Sequence, residues 1–338
     1  CKRVTIEKEI REYVENLPRS ISSPEDVESD CHSILESMVA QHGLIVEVAK
    51  GIYSFSHRTF HEYFVGLKII KTLDPKEQGK LLQSLAIHIS DYRWQEVFFL
   101  VACMQPNSDF LFGLIKSEID KIVEENEKIK AFISWLKEKS LAAENTRGSQ
   151  KFNAISQVFY FNLIVNSKTI ARQKLSQDFI LDSELMGVLT YGISVYNRVS
   201  QVENLASQEK INDSIEESKQ DYKTMLRLLR QCIHKIQEEF MRERLEDLKI
   251  QLPERVQLSD EWWVERGKQW IEDFRDMLMK HRNIGHDWRF SKDEIESLKN
   301  YYNVNRLLSR CLESDCYVSR QVREEINESA LLPISKSE

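Results

Sequence analysis

The apolar positions of the chain change period inside Gly51–Ile70, GIYSFSHRTFHEYFVGLKII. Tyr53, Phe55 and His57 alternate with Ser54 and Ser56, the period of a half-buried strand. Phe60, Tyr63, Phe64, Leu67 and Ile70 then recur at spacings of three and four, one face of a helix. At the switch, Thr59-Phe60-His61-Glu62 has the form of a capping box, in which Thr59 and Glu62 each accept from the other's backbone N–H. His57 is thereby placed at the end of a strand, just before a helix start. His61 falls on the helix, so the two histidines do not form an i,i+4 ligand pair.

Upstream, Leu44–Val48 and Gly51–Ser56 read as strands around the turn Ala49-Lys50-Gly51. Two helices precede them. The first has Ile6, Ile10, Tyr13, Val14 and Leu17 on one face and stops at Pro18. The second opens at Ser23-Pro24-Glu25-Asp26, with an N-cap, a proline at the first helical position and acids at the positive dipole end. It carries Val27, Cys31, Ile34, Leu35 and Met38 inward, and Gly43 supplies its left-handed cap. Helix, helix, hairpin is the order of a winged helix.

Beyond Asp74-Pro75 the pattern is helical: 76–90, 91–105, 108–126 and 127–142, a polar loop at Glu144–Lys151, then Phe152–Val165 and Leu175–Val199. Residues 201–221 hold few large apolar groups and read as a linker or a solvated helix. Met225, Leu228, Leu229, Cys232, Ile233, Ile236 and Phe240 form one stripe. A helix capped at Ser259-Asp260-Glu261 carries Trp262, Trp263 and Trp270, and further helices cover 292–312 and 319–330, with Leu331-Leu332-Pro333 ending the order. The expected fold class is mainly α: a partial winged-helix domain with a β-hairpin wing (1–73), a helical domain (74–200), a polar linker (201–221) and a C-terminal helical domain (222–338). No fixed period supports a solenoid.

Composition sharpens this picture. Gly 10 and Pro 6 in 338 residues are under half the typical ~12%, which favours long helices. The net charge of −7 argues against a surface devoted to nucleic acid or anionic membrane. No apolar run approaches the ~20 residues of a membrane span. The six cysteines include no CxxC. Cys103 sits in an apolar run as a small core residue, and Cys311 and Cys316 lack the histidines of a zinc site. This usage fits a reducing cytoplasm.

Candidate chemistry is sparse. A winged helix invites a DNA-binding reading, yet Val27–His42, the helix that would enter the groove, contains no Lys or Arg and does carry Glu28, Asp30 and Glu36. Phosphates and base edges need the opposite. Trp94 and the tryptophans of the 260s read as core anchors, with a recognition surface as the alternative for Trp262, Trp263 and Trp270. Arg282 and His286 suggest the Arg–His pair of HEPN-type ribonucleases, but only three residues separate them where that pattern needs four to six. Gly285 and the capping box Ser291–Glu294 make a hydrogen-bonded helix junction the preferred reading. Taken alone, His57 is a satisfied, partly buried histidine.

Phe55-Ser56-His57-Arg58-Thr59-Phe60-His61-Glu62-Tyr63-Phe64 resembles the close of the winged-helix domain in NACHT-type STAND NTPases, the NLR-like signalling ATPases. Asp91-Tyr92-Arg93-Trp94-Gln95-Glu96-Val97-Phe98 is similar to the Trp-containing helix that follows there. Arg282-Asn283-Ile284-Gly285-His286-Asp287-Trp288, with Tyr301-Tyr302 and Val318-Ser319-Arg320, resembles a helical C-terminal domain of bacterial NACHT proteins. The resemblance implies that His57 contacts a phosphate of bound ADP and holds a closed resting state. It also implies a trigger-responsive switch, in bacteria often antiviral, that oligomerises when activated. No GxxxxGK[ST] occurs and the first residue is Cys1, so the expectation is the regulatory C-terminal part of a larger NTPase, not itself an enzyme. On that reading the chain holds no cofactor of its own. ADP or ATP with Mg belongs to the upstream NTPase module, which is its expected partner beside an unidentified trigger.

Overall fold

The computed structural model describes residues 1–16, 24–147, 150–166, 177–201, 208–254 and 261–329. The helix stop at Pro18, the Ser23 and Ser259-Asp260 caps and the Leu331-Leu332-Pro333 ending lie outside these residues. The described chain is mainly α with one antiparallel hairpin, as the periodicity implies. It divides into two compact units: Cys1–Glu125 with Lys299–Glu338, and Asn126–Leu298.

The first unit begins with α1 (Arg3–Glu15) and α2 (Pro24–Ala40), followed by β1 (Ile45–Ala49) and β2 (Ile52–Phe55). The strands pair Ile45 with Phe55 and Glu47 with Tyr53, and Gly51 at φ 68° makes the turn. Leu35, Ile45 and Tyr53 form a small core, with Ile6, Ile10, Met38, Val39 and Phe55 packed on it. Cys31 is buried too, whereas Ile34 faces outward.

Next come α3 (Arg58–Lys71), α4 (Pro75–Ile87), a 3-10 turn (Tyr92–Trp94), α5 (Gln95–Met104) and α6 (Asp109–Glu124). Asp74 caps α4, accepting from the Lys76 N–H at 3.0 Å, with Pro75 at the first helical position. Val97, Phe98, Val101, Leu111, Phe112 and Ile115 fill the core between these helices. Each such side chain stabilises the fold by about 1.5–3 kcal/mol relative to exposure.

Four readings need correction here. The buried face of α3 is Glu62, Gly66 and Ile69, while Tyr63 and Phe64 are exposed. The cause is Gly66, where a Cβ would stand only 3.4 Å from Leu100 Cβ, so the helix turns its glycine toward α5. The expected capping box is not made, because the helix starts two residues earlier, at Arg58 with His57 as its N-cap. Buried Glu62 instead accepts from Arg58 Nε at 2.6 Å. Cys103 is exposed, since it follows Val101 and Ala102 around the helix and leaves their buried stripe. Trp94 is half-buried, stacked flat on His88 at 4.5 Å.

The second unit contains α7 (Glu127–Arg147), α8 (Gln150–Phe161) with a π turn at Asn162–Asn166, α9 (Gln177–Gln201) and α10 (Gln208–Lys235). It continues through α11 (Glu239–Ile250), the short α12 (Glu261–Glu265) and α13 (Gly267–Arg282). Helix α14 (Lys292–Glu313) starts here, and its residues from Lys299 onward, with α15 (Arg320–Ser329), belong to the first unit. The polar stretch read as a loop is helical at Glu144–Arg147 and again from Gln150, in keeping with the helix formers Ala142, Ala143 and Glu144. Residues 208–221 are the first half of α10. The apolar stripe of α10 holds as far as Ile236. Phe240 is exposed on α11, because the chain leaves the helix after Lys235.

Helix α9 packs against α10 and α13, and small residues allow the approach. A Cβ at Gly192 would lie 3.3 Å from Trp270 Cζ3 and 3.4 Å from Met225 Sδ. Trp263 and Trp270 are buried, as core anchors should be. Trp270 stacks on Phe274 and donates to the Leu248 carbonyl at 2.8 Å.

Gly192→Val should therefore destabilise the chain by about 1–3 kcal/mol, even though valine is a better helix former than glycine. The urea midpoint of unfolding measures it, and an unchanged or raised midpoint would contradict the packing described.

Candidate functional site

His57 occupies the N-cap position of α3 with extended backbone (φ −131°, ψ 142°), and its carbonyl accepts from the Phe60 N–H at 3.1 Å. Its side chain makes no capping bond and is exposed. The imidazole lies 6.0 Å from the Phe60 ring at a tilted angle. The sequence pattern placed it on the face of Tyr53 and Phe55; Tyr53 is buried and Phe55 half-buried, but β2 ends at Phe55 and His57 projects beyond the sheet.

Around it the surface is aromatic. Phe55 stacks on His61 at 5.4 Å and on Phe64 at 5.8 Å, and Tyr63 meets Phe64 edge-on. Phe55 and His61 line two cavities. One, of about 670 Å³, includes Ile45, Tyr53 and Arg58; the other, of about 340 Å³, includes Phe64, Ile69 and Trp94. Arg58 donates to Glu62 and also to the Arg93 carbonyl at 2.6 Å, which joins the start of α3 to the 3-10 turn.

The other cluster lies in the second unit and centres on Asp182 of α9, whose side chain is wholly buried. Arg282, the last residue of α13, donates to it at 2.7 Å, Tyr160 of α8 donates at 2.6 Å, and Lys139 of α7 lies 3.3 Å away. Burial alone would weaken the protonated form of Arg282, but Asp182 outweighs it and raises the pKa. Lys139 is pulled down, by burial first, against the attraction of Asp182. The Tyr160 phenol is pushed up by burial and by the neighbouring carboxylate. Two residues along α9, the Lys235 ammonium donates to both carboxylate oxygens of buried Glu184, at 2.6 and 2.7 Å. A cavity of about 730 Å³, lined by Asp178, Leu181, His234, Lys235, Met241 and Arg282, opens beside these pairs.

After α13 the chain turns through Asn283 (φ 49°) and Gly285 (φ 86°). The Lys139 ammonium donates to the Arg282 carbonyl, Trp135 Nε1 donates to the Asn283 carbonyl at 2.9 Å, and His286 Nε2 lies 2.9 Å from Asn283 Oδ1. Phe132, Trp135, His286, Trp288 and Phe290 pack ring against ring. The capping box of α14 is made: the Ser291 N–H donates to Glu294 at 2.7 Å and the Glu294 N–H to Ser291 Oγ at 3.1 Å. Lys128, with the Ser291 N–H and Asn126, holds the Glu294 carboxyl at about 2. Arg282 and His286 are thus each tied to a different partner, in the hydrogen-bonded junction the spacing suggested.

Asp182, Lys139 and Tyr160 were missed by sequence reasoning. The one available signal was Asp182 and Glu184 inside the otherwise apolar Phe179–Leu189. Among the described residues no group of three or more His, Cys, Asp or Glu is placed to hold a metal, and no helix is long and apolar enough to cross a membrane.

The junction, α13, α14 and α15 fall within residues 241–333, which match the family model of the NACHT C-terminal helical domain 2. The match supports a C-terminal region of a NACHT-family protein at residues 241–333. Neither a curated protein nor a solved structure gave a significant match to the chain.

Removing Asp182 leaves the largely buried Lys139 and Arg282 with only the exposed Asp178, 3.7 Å from Arg282, as counter-charge, so Asp182→Ala should cost about 3–5 kcal/mol, read from chemical denaturation. A loss under 1 kcal/mol would mean that the cluster is open to water. Burial also lowers the pKa of His286 below its ordinary value near 6.5, so the unfolded chain takes up that proton first as pH falls. Stability is therefore full above about pH 6.5 and declines as pH drops from there toward the lowered folded value. Melting temperatures between pH 7.5 and 5 should show that decline in the wild type and a flatter profile in His286→Gln.

Proposed function

We propose that this chain is the regulatory portion of a NACHT-type STAND NTPase, in which His57 helps to hold the ADP-bound resting state. The observation that carries the reading is His57 itself: an exposed imidazole free of any capping bond, on extended backbone where strand gives way to helix. Such a group can donate one hydrogen bond to a phosphate at little ordering cost. The GxxxxGK[ST] loop that would cradle the rest of a nucleotide is not in this sequence, so the contact serves a nucleotide held by an upstream NTPase module. The exposed Tyr63 and Phe64 beside it supply aromatic surface suited to packing against that module.

In this reading a trigger recognised by the helical units, together with exchange of ADP for ATP, releases the contact and exposes a surface for self-assembly. Bacterial antiviral defence is the setting that the resemblance suggests. DNA binding and RNA cleavage remain the rival activities, and neither gains a specific observation here.

Binding of this chain to its separately expressed NTPase module, with ADP, with ATP and with neither, tests the proposal. ADP should strengthen association, and His57→Ala should weaken the ADP-dependent part by about 10- to 100-fold, the worth of one charge-assisted hydrogen bond. Association indifferent to nucleotide, or to the substitution, would remove the His57 role.

A further inference from the structure

Three of the six cysteines meet in the first unit, far from His57 in the sequence and independent of the nucleotide reading. Cys103 stands in the last turn of α5. Cys311 lies in α14, and Cys316 in the connection to α15. Cys103 Sγ is 3.5 Å from the Ser314 hydroxyl. Cys316 Sγ lies 3.1 Å from the Cys311 carbonyl, to which Ser314 Oγ donates at 2.6 Å. The sulfurs of Cys103 and Cys316 thus converge on one hydrogen-bonded pair, the Ser314 hydroxyl and the Cys311 carbonyl.

The backbone holds them there without help from the thiols. The Ser108 N–H donates to the Tyr317 carbonyl at 2.9 Å, and the Ser319 N–H donates to Asp109 Oδ1 at 2.7 Å. Two adjacent contacts therefore fix the 314–319 connection against the α5–α6 turn. Cys316 belongs to a non-helical stretch, whose torsions can adjust to disulfide geometry.

We infer that Cys103 and Cys316 are a peroxide-sensitive dithiol that closes to a disulfide joining the two chain segments of the first unit. Cys103 is the exposed member and reacts first. Its thiolate attacks one peroxide oxygen, the O–O bond breaks, water leaves, and the sulfur becomes a sulfenic acid. The Cys316 thiolate then attacks that sulfur, the S–S bond forms, the S–O bond breaks and a second water leaves. Two thiols and one hydrogen peroxide yield one disulfide and two waters, with two electrons passing from sulfur to oxygen. Cys311 is excluded: it is buried, and burial pushes its thiol far up, so neither oxidant nor thiolate is available there. Burial also raises the Cys316 thiol, so ring closure should quicken as pH rises.

The test is a thiol count on the full chain, denatured and alkylated after treatment with hydrogen peroxide, followed by peptide mapping. Two of the six thiols should be lost in a Cys103–Cys316 linked peptide, restored by dithiothreitol. The oxidised chain should melt about 5 °C higher, since the bridge closes a long loop. Cys103→Ser and Cys316→Ser should abolish the linkage and Cys311→Ser should keep it. Melting curves of all three under reducing conditions establish that each is folded. Six surviving thiols, a Cys311-containing bridge, or a product that is only an intermolecular dimer would each overturn the inference.

Discussion

A carboxylate with no access to water governs the second unit. A buried carboxyl such as Asp182 is costly without cations and donors, and it draws them from three other helices: Lys139 from α7, Tyr160 from α8 and Arg282 from α13. The arrangement at the end of α13 follows from it. Arg282 points inward to the carboxylate and its carbonyl is taken by Lys139. The next residue turns left-handed, and its carbonyl receives Trp135. The segment Arg282–Trp288, within the stretch that matches the NACHT C-terminal helical domain 2, is therefore a clasp in which Arg282 engages α9, and Asn283, His286 and Trp288 engage α7. Arg282 and His286, whose spacing already falls short of an Arg–His catalytic pair, serve this clasp. Each residue already has its own structural partner.

A smaller constraint shapes the first unit. Gly66 permits α3 to lie against α5, and Glu62, Gly66 and Ile69 must then face inward together. Glu62 tolerates burial because Arg58, one turn earlier, neutralises it. The aromatic side of the helix is turned out as a result, next to an unencumbered His57. An exposed aromatic face beside a free imidazole has the character of an interface more than of a core, which is why the regulatory reading centres there.

The fold was legible where a local rule decides. Strand alternation located the hairpin, Asp74-Pro75 marked the start of α4, and Ser291–Glu294 formed the predicted capping box, because each rests on neighbours in sequence. Thr59–Glu62 satisfies the same box rule and was overridden. A buried glutamate found a guanidinium at i−4, which is worth more than a backbone N–H at the surface. Likewise the apolar stripe of Phe60, Tyr63 and Phe64 lost to a glycine, since helix contact depends on how near two backbones can come as well as on hydrophobic area.

The amino-acid sequence by itself determined that the chain is helical with one hairpin, and where most elements begin. Those properties follow from periodicity and capping, both encoded within a few residues. Only the tertiary structure decided which face of α3 is buried, that Asp182 collects its cations from residues 43 positions before and 100 positions after it, and that Cys103 meets the Ser314–Cys316 segment. Such pairings depend on how helices distant in sequence are stacked, and no local rule carries that information.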